Sequence, residues 1–174
     1  MTYESNINVM LTKEQIAEKV SELGAKITED YKGKDVLLIG VLKGSFVFMA
    51  DLVRAIDLPV QMDFISAKSY FGTTSSGVVD VKMDTHLEFM GKTILLVEDI
   101  LDTGKTLSVL KQMLLTRGAA DVKIVTFLDK PARRTADIKS DYCCYTIEDR
   151  FVVGYGLDYN EMYRNLDYLG EVVL

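Results

Sequence analysis

The sequence has little of the chemistry on which many enzyme sites depend. His86 is its only histidine and tryptophan is absent, which argues against histidine-based metal sites and against Ser–His–Asp catalysis. We expect His86 at the surface. The two cysteines, Cys143 and Cys144, are adjacent. A disulfide between adjacent residues cannot cross-link distant parts of a fold, and metal ligands are usually spaced apart. We interpret both as reduced packing residues of a cytoplasmic protein.

Long apolar runs and an excess of basic residues are also missing. No stretch reaches the roughly 18 apolar residues that a transmembrane helix needs, and residues 1–10 carry an acid and asparagines instead of a basic segment before an apolar one. No membrane span and no signal peptide are therefore expected. The net charge of −6 argues against nonspecific binding to nucleic acid or to an anionic membrane. An anionic small substrate is compatible with it, because a bound cation and backbone dipoles can supply a positive field.

The residues that are present are typical of one α/β domain. The chain of 174 residues is 48% hydrophobic and 26% charged, which predicts a single domain over residues 1–174. Thr12 and Gln15 form a capping-box pattern at the start of an amphipathic helix that Gly33 ends. Strand-like apolar runs occupy residues 36–41, 60–66, 94–97 and 121–128. Continuous apolar runs of this kind predict a mostly parallel sheet covered by helices.

The most informative stretch is Thr93–Leu107, TILLVEDILDTGKTL. Its apolar run leads into Glu98 and Asp99, and the polar loop Asp102–Thr106 then precedes a helical pattern. In open α/β sheets, ligands bind at such loops beyond the carboxyl ends of the strands. Backbone N–H groups of residues 103–106 can hold a phosphate, whereas the two acids would repel it and need sugar hydroxyls, a divalent cation or both. A phosphorylated sugar with magnesium satisfies both requirements.

Two simpler interpretations compete for this loop. In the first, Asp102 or Thr103 is only an N-cap and the preceding acids are a solvated strand end. In the second, the sequence GKT belongs to a Walker A motif. That motif requires a glycine at the position of Asp99, so the sequence excludes it.

Other polar segments also allow either a structural or a functional interpretation. Leu42–Ser45 follows the first strand-like run and precedes an apolar helical pattern, so it is either a simple turn or a second anion site. Residues 71–77, FGTTSSG, are either part of a hairpin before a strand at 78–83 or a mobile lid that keeps water from a reacting centre. Lys130 follows the last strand-like run and is either solvated or a substrate contact.

The run E-D-x-x-D-T-G-x-T after an apolar strand resembles the phosphoribosyl-pyrophosphate signature of the type I phosphoribosyltransferases. The stretches LLIGVLKGSFVFMADL, DKPARR and FVVGYGLDYNEMYRNL are similar, in the same order, to the branch of that family that uses 6-oxopurines. The resemblance implies a mostly parallel central sheet flanked by helices, a small hood formed by the chain ends, and a mobile active-site loop. It also implies purine salvage with Mg²⁺, in which phosphoribosyl pyrophosphate and a 6-oxopurine such as hypoxanthine or guanine react on a homo-oligomer (dimer or tetramer).

The resemblance also implies a role for each residue of the matched motifs. Asp102 would be catalytic, beside N7 of the purine. The ribose and 5-phosphate would be held by Glu98, Asp99, Thr103, Gly104, Lys105 and Thr106. Pyrophosphate would be held by Leu42, Lys43, Gly44 and Arg164, with a cis peptide bond between Leu42 and Lys43. The base would contact Lys130, Phe151, Val152 and Asp158; Ser69 and Tyr70 would begin the lid; and Mg²⁺ would be bound by Glu98, Asp99 and Asp158.

Two rival functions keep part of this chemistry. A non-enzymatic sensor with the same fold would need an output module, but residues 1–35 contain one amphipathic helix and no basic cluster. A sister enzyme for adenine, orotate or uracil is disfavoured by Lys130, because an ammonium only donates hydrogen bonds and cannot pair with a 6-amino group. By composition alone, Phe151 is expected in the core.

Overall fold

The computed structural model describes residues 7–69 and 79–173. Its elements are β1 (Ile7–Leu11), α1 (Lys13–Asp30), β2 (Val36–Leu42), α2 (Phe46–Ala55), β3 (Gln61–Ser69), β4 (Val79–Met83), β5 (Thr93–Leu101), α3 (Lys105–Thr116), β6 (Asp121–Asp129), a 3₁₀ turn (Pro131–Arg133), β7 (Tyr142–Thr146), β8 (Val152–Val153) and β9 (Leu169–Val172). Strand, polar loop and helix follow one another at β2–α2 and at β5–α3, as predicted.

Six of the described strands form one sheet in the order β4-β3-β2-β5-β6-β7. Every pair is parallel except β3 with β4, so the carboxyl ends of β2, β5 and β6 meet at one edge. The strands β1, β8 and β9 form a small antiparallel sheet from the two ends of the chain. The predicted mostly parallel sheet and its chain-end hood are confirmed.

Helices cover both faces of the large sheet. Successive residues of a strand point to opposite faces, so Leu95 of β5 packs with α1 and α2 while Leu96 packs with α3. Thr12 caps α1 as predicted: its hydroxyl accepts from the Gln15 N–H at 3.4 Å, and Gln15 Oε1 accepts from the Thr12 N–H at 2.9 Å. Gly33, with φ of +75°, follows the end of this helix.

Two strands differ from the sequence prediction. β5 does not end with its apolar run at Val97 but continues to Leu101, because its ladder with β6 extends to the pair Leu101 and Asp129. The acids Glu98 and Asp99 are therefore strand residues. β7 was not predicted, since residues 137–149 are polar and mixed; its backbone pairing with β6 defines it as an edge strand.

The expectations for the scarce residues agree with the structure. Cys143 and Cys144 are free thiols, the second of them buried, and burial raises the pKa of Cys144 to about 12. His86 is exposed. Within residues 7–69 and 79–173, no helix is long and apolar enough to cross a membrane.

Candidate active site

Two acids occupy the end of the central strand β5. Glu98 and Asp99 are both partly buried. The Asp99 N–H donates to Glu98 Oε1 at 3.1 Å, and the Ile100 N–H donates to Asp99 Oδ1 at 2.7 Å. Burial raises the pKa of Glu98 well above its usual range, and the neighbouring Asp99 carboxylate raises it further. Burial also raises the pKa of Asp99, against its hydrogen bonds from Glu98 and the backbone. Two neighbouring carboxyl groups in this position resist ionising together.

The helix α3 begins beside these acids with little side-chain capping. Its N-cap is Gly104, at φ of +81°, and the Thr103 hydroxyl accepts a long hydrogen bond, 3.5 Å, from the Lys105 N–H. The simpler interpretation, in which Asp102 or Thr103 is the N-cap, is wrong about the N-cap residue, although Thr103 contacts the first N–H of the helix. Gly104 is needed for its left-handed backbone and also for space, because a Cβ there would lie 2.5 Å from Ile138 Cγ2. A helix N-terminus with so little capping is a suitable place for an anion.

Residues of the loop Asp102–Thr106 and the two acids line one cleft. A cavity of about 230 Å³ lies at this edge of the sheet. Its lining residues are Val41, Leu42, Ala67, Glu98, Asp99, Ile100, Leu101, Asp102, Thr103, Gly104, Thr106 and Leu107. Most of the residues expected to hold ribose and 5-phosphate are therefore brought together, next to the first residue of the expected pyrophosphate loop.

Arg134 holds in place the backbone where β5 leads into the loop Asp102–Thr106. Its guanidinium donates to Leu101 O at 3.0 Å and to Asp102 O at 2.9 Å, and also to Ile138 O at 2.8 Å. It forms a largely buried ion pair with Asp129. The sequence analysis did not identify this residue; the signal available was its position four residues after Lys130, directly beyond the end of β6.

Replacing Arg134 with glutamine is expected to lower the free energy of unfolding by about 3 kcal/mol, because the change leaves a buried carboxylate unpaired. Urea denaturation measures the loss. Arg54→Gln is the control, since Arg54 is exposed and paired only at the surface with Asp51, where the expected loss is below about 1 kcal/mol. Equal losses in the two variants would contradict a clamping role for Arg134.

Asp102 and Lys130 are linked by a chain of charged side chains. Asp102 Oδ1 is buried, has no hydrogen-bond partner among the described residues, and lies 3.5 Å from Arg133 Nε. Arg133 Nη1 is 3.9 Å from Asp149 Oδ1, which is 3.5 Å from Lys130 Nζ. Lys130 is 6% exposed, and its ammonium donates to the carbonyl of Arg150 at 2.7 Å. The expected catalytic acid and the expected base-reading lysine therefore lie within one connected group.

Phe151 is not a core residue. Its side chain is 45% exposed, so the expectation from composition is wrong. The following residue, Val152, is buried in β8, and the Phe151 carbonyl accepts from the Val172 N–H at 3.0 Å. The Phe151 and Tyr159 rings are nearly perpendicular, with centroids 5.4 Å apart. A fixed backbone thus leaves the Phe151 ring partly exposed to solvent, as the expected stacking on a purine requires.

The loop after β2 is packed tightly into the same site. The Leu42–Lys43 peptide is cis, as the resemblance implies. A Cβ on Gly44 would overlap Asp99 Oδ2 and would lie 2.5 Å from Asp99 Cγ. On its other side, a Cβ on Gly156 would overlap the Gly44 carbonyl oxygen. Gly44 therefore lies between the acids of β5 and the glycine-rich turn of the hood.

Lys43 and Arg164 meet beside this loop. Arg164 Nη1 donates to Gly156 O at 2.8 Å, and Nη2 lies 2.8 Å from Asp158 Oδ1 and 3.4 Å from Glu161 Oε2. Lys43 Nζ lies 2.9 Å from the same Glu161 oxygen. The structure thus brings together the two cations expected to hold pyrophosphate. It also reveals Glu161 between them, a residue that the sequence analysis did not single out.

The acids can contribute to a magnesium site only together with other ligands. Among the described residues, no three His, Cys, Asp or Glu side chains are grouped as a metal site, so Glu98, Asp99 and Asp158 do not form one such cluster. Their carboxylates are nevertheless the hard oxygen ligands that Mg²⁺ prefers, and Mg²⁺ usually completes its shell with substrate oxygens and water. The donor chemistry fits an ion that arrives with a phosphorylated substrate.

The predicted lid is only partly within the described ranges. Ser69 is the last residue of β3. Tyr70 and residues 71–77 lie outside the described residues. The lid therefore stays a prediction.

Comparison with known proteins agrees with this site. The family model for the phosphoribosyl transferase domain matches residues 9–160. The hypoxanthine-guanine phosphoribosyltransferase of Streptococcus pneumoniae R6 is 52% identical over 163 residues, which are 93% of this chain and 91% of that protein. A hypoxanthine phosphoribosyltransferase from Staphylococcus aureus has a crystal structure that is 47% identical, with a TM-score of 0.92, covering 95% of this chain and 91% of that one. A Bacillus anthracis hypoxanthine-guanine phosphoribosyltransferase structure is 42% identical, with a TM-score of 0.91, covering 97% and 99%.

The fold is that of a phosphoribosyltransferase. Within that class, the chain belongs to the hypoxanthine-guanine phosphoribosyltransferase family.

Proposed function

We propose that this enzyme transfers the 5-phosphoribosyl group from phosphoribosyl pyrophosphate to N9 of hypoxanthine or guanine, forming IMP or GMP and pyrophosphate with Mg²⁺. The observation that carries the proposal is that the expected binding residues meet at one edge of the sheet. There the α3 N-terminus and the Glu98–Asp99 pair line one cleft, and Asp102 connects that cleft to the buried Lys130 through Arg133 and Asp149.

The donor is bound through its phosphate and its sugar hydroxyls. The 5-phosphate accepts hydrogen bonds from the N–H groups at the start of α3, where Gly104 lets the backbone approach. The ribose 2- and 3-hydroxyls pair with the carboxyl groups of Glu98 and Asp99. The whole donor is thereby oriented with its anomeric carbon facing the base.

Asp102 acts on the purine. Its Oδ1 atom has no hydrogen-bond partner among the described residues and lies 3.5 Å from Arg133 Nε. This oxygen accepts the proton from N7 or shares it. A carboxylate at this point also stabilises the positive charge that develops on the ribose as the bond to pyrophosphate breaks.

Lys130 and Phe151 select the base. The Lys130 ammonium, held by the Arg150 carbonyl, donates to a 6-oxo group and has no acceptor for a 6-amino group. Phe151 stacks on the purine face, and the backbone at Val152 pairs with its edge. The site then discriminates against adenine because bound adenine would leave buried polar groups of the site without hydrogen-bond partners.

Bound Mg²⁺ would supply positive charge to the pyrophosphate leaving group. The residues proposed to support it are Asp158, with substrate oxygens and water as further ligands, and the acids of β5. Lys43, the adjoining Gly44 backbone and Arg164 bind the pyrophosphate oxygens, for which a guanidinium is well suited.

The enzyme is further proposed to work in the cytoplasm as a homo-oligomer. The free thiols support a reducing compartment. A groove of about 650 Å³ between α1 and α2, bordered by the exposed Phe46, supports a contact with a second copy. Light scattering on the purified protein tests the oligomer.

A panel of bases tests the activity. The purified protein is given phosphoribosyl pyrophosphate and Mg²⁺ with hypoxanthine, guanine, xanthine, adenine, orotate or uracil, and nucleotides are separated by chromatography. We expect IMP and GMP, only when Mg²⁺ is present. If the donor binds but no base is consumed, the chain is a sensor; if AMP forms as fast as IMP, the assignment of Lys130 is wrong.

Replacing Lys130 with glutamine is expected to lower kcat/KM for hypoxanthine about 10- to 100-fold, because a charged hydrogen bond to the 6-oxo group is lost. The ratio of hypoxanthine to adenine rates should fall as well, since an amide can also accept. Steady-state kinetics with both bases measure this. Lys139→Gln is the control, because Lys139 is exposed; an unchanged base ratio in the Lys130 variant would contradict the assignment.

A further inference from the structure

A tight turn in the hood places an acid inside the expected pyrophosphate site. Tyr159 and Met162 exchange two backbone hydrogen bonds, at 3.1 and 3.0 Å. Between them, Asn160 and Glu161 have φ values of +51° and +64°. Two successive left-handed residues are typical of a type I′ turn, in which asparagine is common and glutamate is not. The glutamate thus occupies a backbone position that its own conformational preference does not explain.

The turn fixes the direction of Glu161. Its N–H donates to Asp158 Oδ2 at 2.9 Å, so the residue is tied to the same carboxylate that pairs with Arg164. Its own carboxylate lies 2.9 Å from Lys43 Nζ and 3.4 Å from Arg164 Nη2. The hydrogen bond from Lys43 lowers the pKa of Glu161.

The cationic group is therefore neutralised by the chain itself. The two positive charges of Lys43 and Arg164 face the two negative charges of Asp158 and Glu161. A carboxylate oxygen on lysine and arginine makes the same kind of charge-assisted hydrogen bond that a phosphate oxygen would make. Pyrophosphate and Glu161 cannot both hold these cations without strong repulsion between them.

We propose that Glu161 is a built-in competitor of pyrophosphate. It holds Lys43 and Arg164 when the site is empty, gives them up to the pyrophosphate of the donor, and returns when pyrophosphate leaves. The inference rests on the proposed function and adds to it a residue that sets donor affinity and assists product release.

The exposure of the contact suits an exchange of this kind. The side chains of Lys43 and Glu161 are 66% and 65% exposed, and ion pairs in such surroundings stabilise a protein only slightly. A dianionic or more highly charged ligand can therefore displace the glutamate at small cost. A purely structural pair would be expected to be more buried and to be lost only with the fold.

Glu161→Gln tests the proposal in the full-length protein. Calorimetric titration with inorganic pyrophosphate and Mg²⁺ is expected to show binding tightened about three- to five-fold, the size of one exposed ion pair. The KM for phosphoribosyl pyrophosphate should fall in the same direction. Glu22→Gln is the matched control, because it removes one charge from an exposed pair with Lys19 on α1; its pyrophosphate affinity should equal that of the unmodified protein.

A double variant separates direct competition from a general change of charge. In Lys43→Gln, the further change Glu161→Gln should tighten pyrophosphate binding less than it does alone, since one of the contested cations is gone. Glu161→Ala is measured beside Glu161→Gln, with thermal melting of each, so that a folding defect in one variant does not decide the result.

Three results would overturn the proposal. Weaker or unchanged binding in both Glu161 variants would make the residue a positioning group for its cations. An equal gain with and without Lys43 would reduce its effect to net charge. If the unmodified protein does not bind pyrophosphate with Mg²⁺ at all, the proposed function itself fails, and that outcome is distinct from the other two.

Discussion

Asp102→Asn should lower kcat about 10²- to 10⁴-fold, the usual contribution of a positioned acid or base, while KM for both substrates changes little. Asparagine has the same shape, but its amide cannot take a proton from N7 or balance a developing positive charge. The local structure should tolerate the change, because Asp102 Oδ1 makes no hydrogen bond with any described residue and its ion pair with Arg133, at 3.5 Å, is partly exposed. The backbone of the loop is held independently by Arg134.

Steady-state kinetics with hypoxanthine and phosphoribosyl pyrophosphate separate the two parameters. Asp137→Asn is the control, because Asp137 is exposed and lies outside the cleft; its turnover should be unchanged. A lower kcat with unchanged KM indicates that the group acts in the transition state rather than in ground-state binding. Unchanged turnover in Asp102→Asn would remove Asp102 from the catalytic role.

The sequence predicts the sheet and one side of the site because both depend on local patterns. Continuous apolar runs identify buried parallel strands. The loop after β5 lies beyond the carboxyl end of a strand and before a helix, where ligands bind in open α/β sheets. The end of β5 could not be predicted in the same way. Glu98 and Asp99 follow the apolar run, and only the pairing with β6 shows that the strand continues through them to Leu101. The raised pKa values of both carboxyl groups follow from their partly buried position.

The residues that support the site depend on contacts between distant segments. Arg134 acts on carbonyls 32 and 33 residues earlier in the chain, and Glu161 meets Lys43 across 118 residues. Position in the sequence does not reveal either contact, because an arginine after a strand and a glutamate in a turn are usually solvated. Phe151 shows the opposite error: composition predicts burial, but β8 buries its neighbour Val152 and turns Phe151 outward.

Gly44→Ala should reduce kcat/KM for phosphoribosyl pyrophosphate about 100-fold or more, because displacing a binding group by about 1 Å has an effect of that size. The added methyl group would overlap Asp99 Oδ2 and lie 2.5 Å from Asp99 Cγ. Asp99 cannot turn aside freely, since the Ile100 N–H holds its carboxylate at 2.7 Å. The loop cannot retreat either, because Gly156 packs against the Gly44 carbonyl oxygen. A single methyl group therefore disturbs the pyrophosphate loop and the ribose-binding acids together.

Overpacking of this kind should also lower the free energy of unfolding by about 1–3 kcal/mol, so stability and kinetics must be measured together. Gly33→Ala is the matched control. Gly33 has φ of +75° and no described atom within 4 Å of an added Cβ, so alanine there costs about 1–2 kcal/mol through backbone strain alone and should leave kcat/KM unchanged. If Gly44→Ala loses stability but keeps its kinetics, the contact with Asp99 is a packing contact without consequence for the donor. Loss of kcat/KM in Gly44→Ala but not in Gly33→Ala, at similar stability, means that activity depends on the close fit between the two loops.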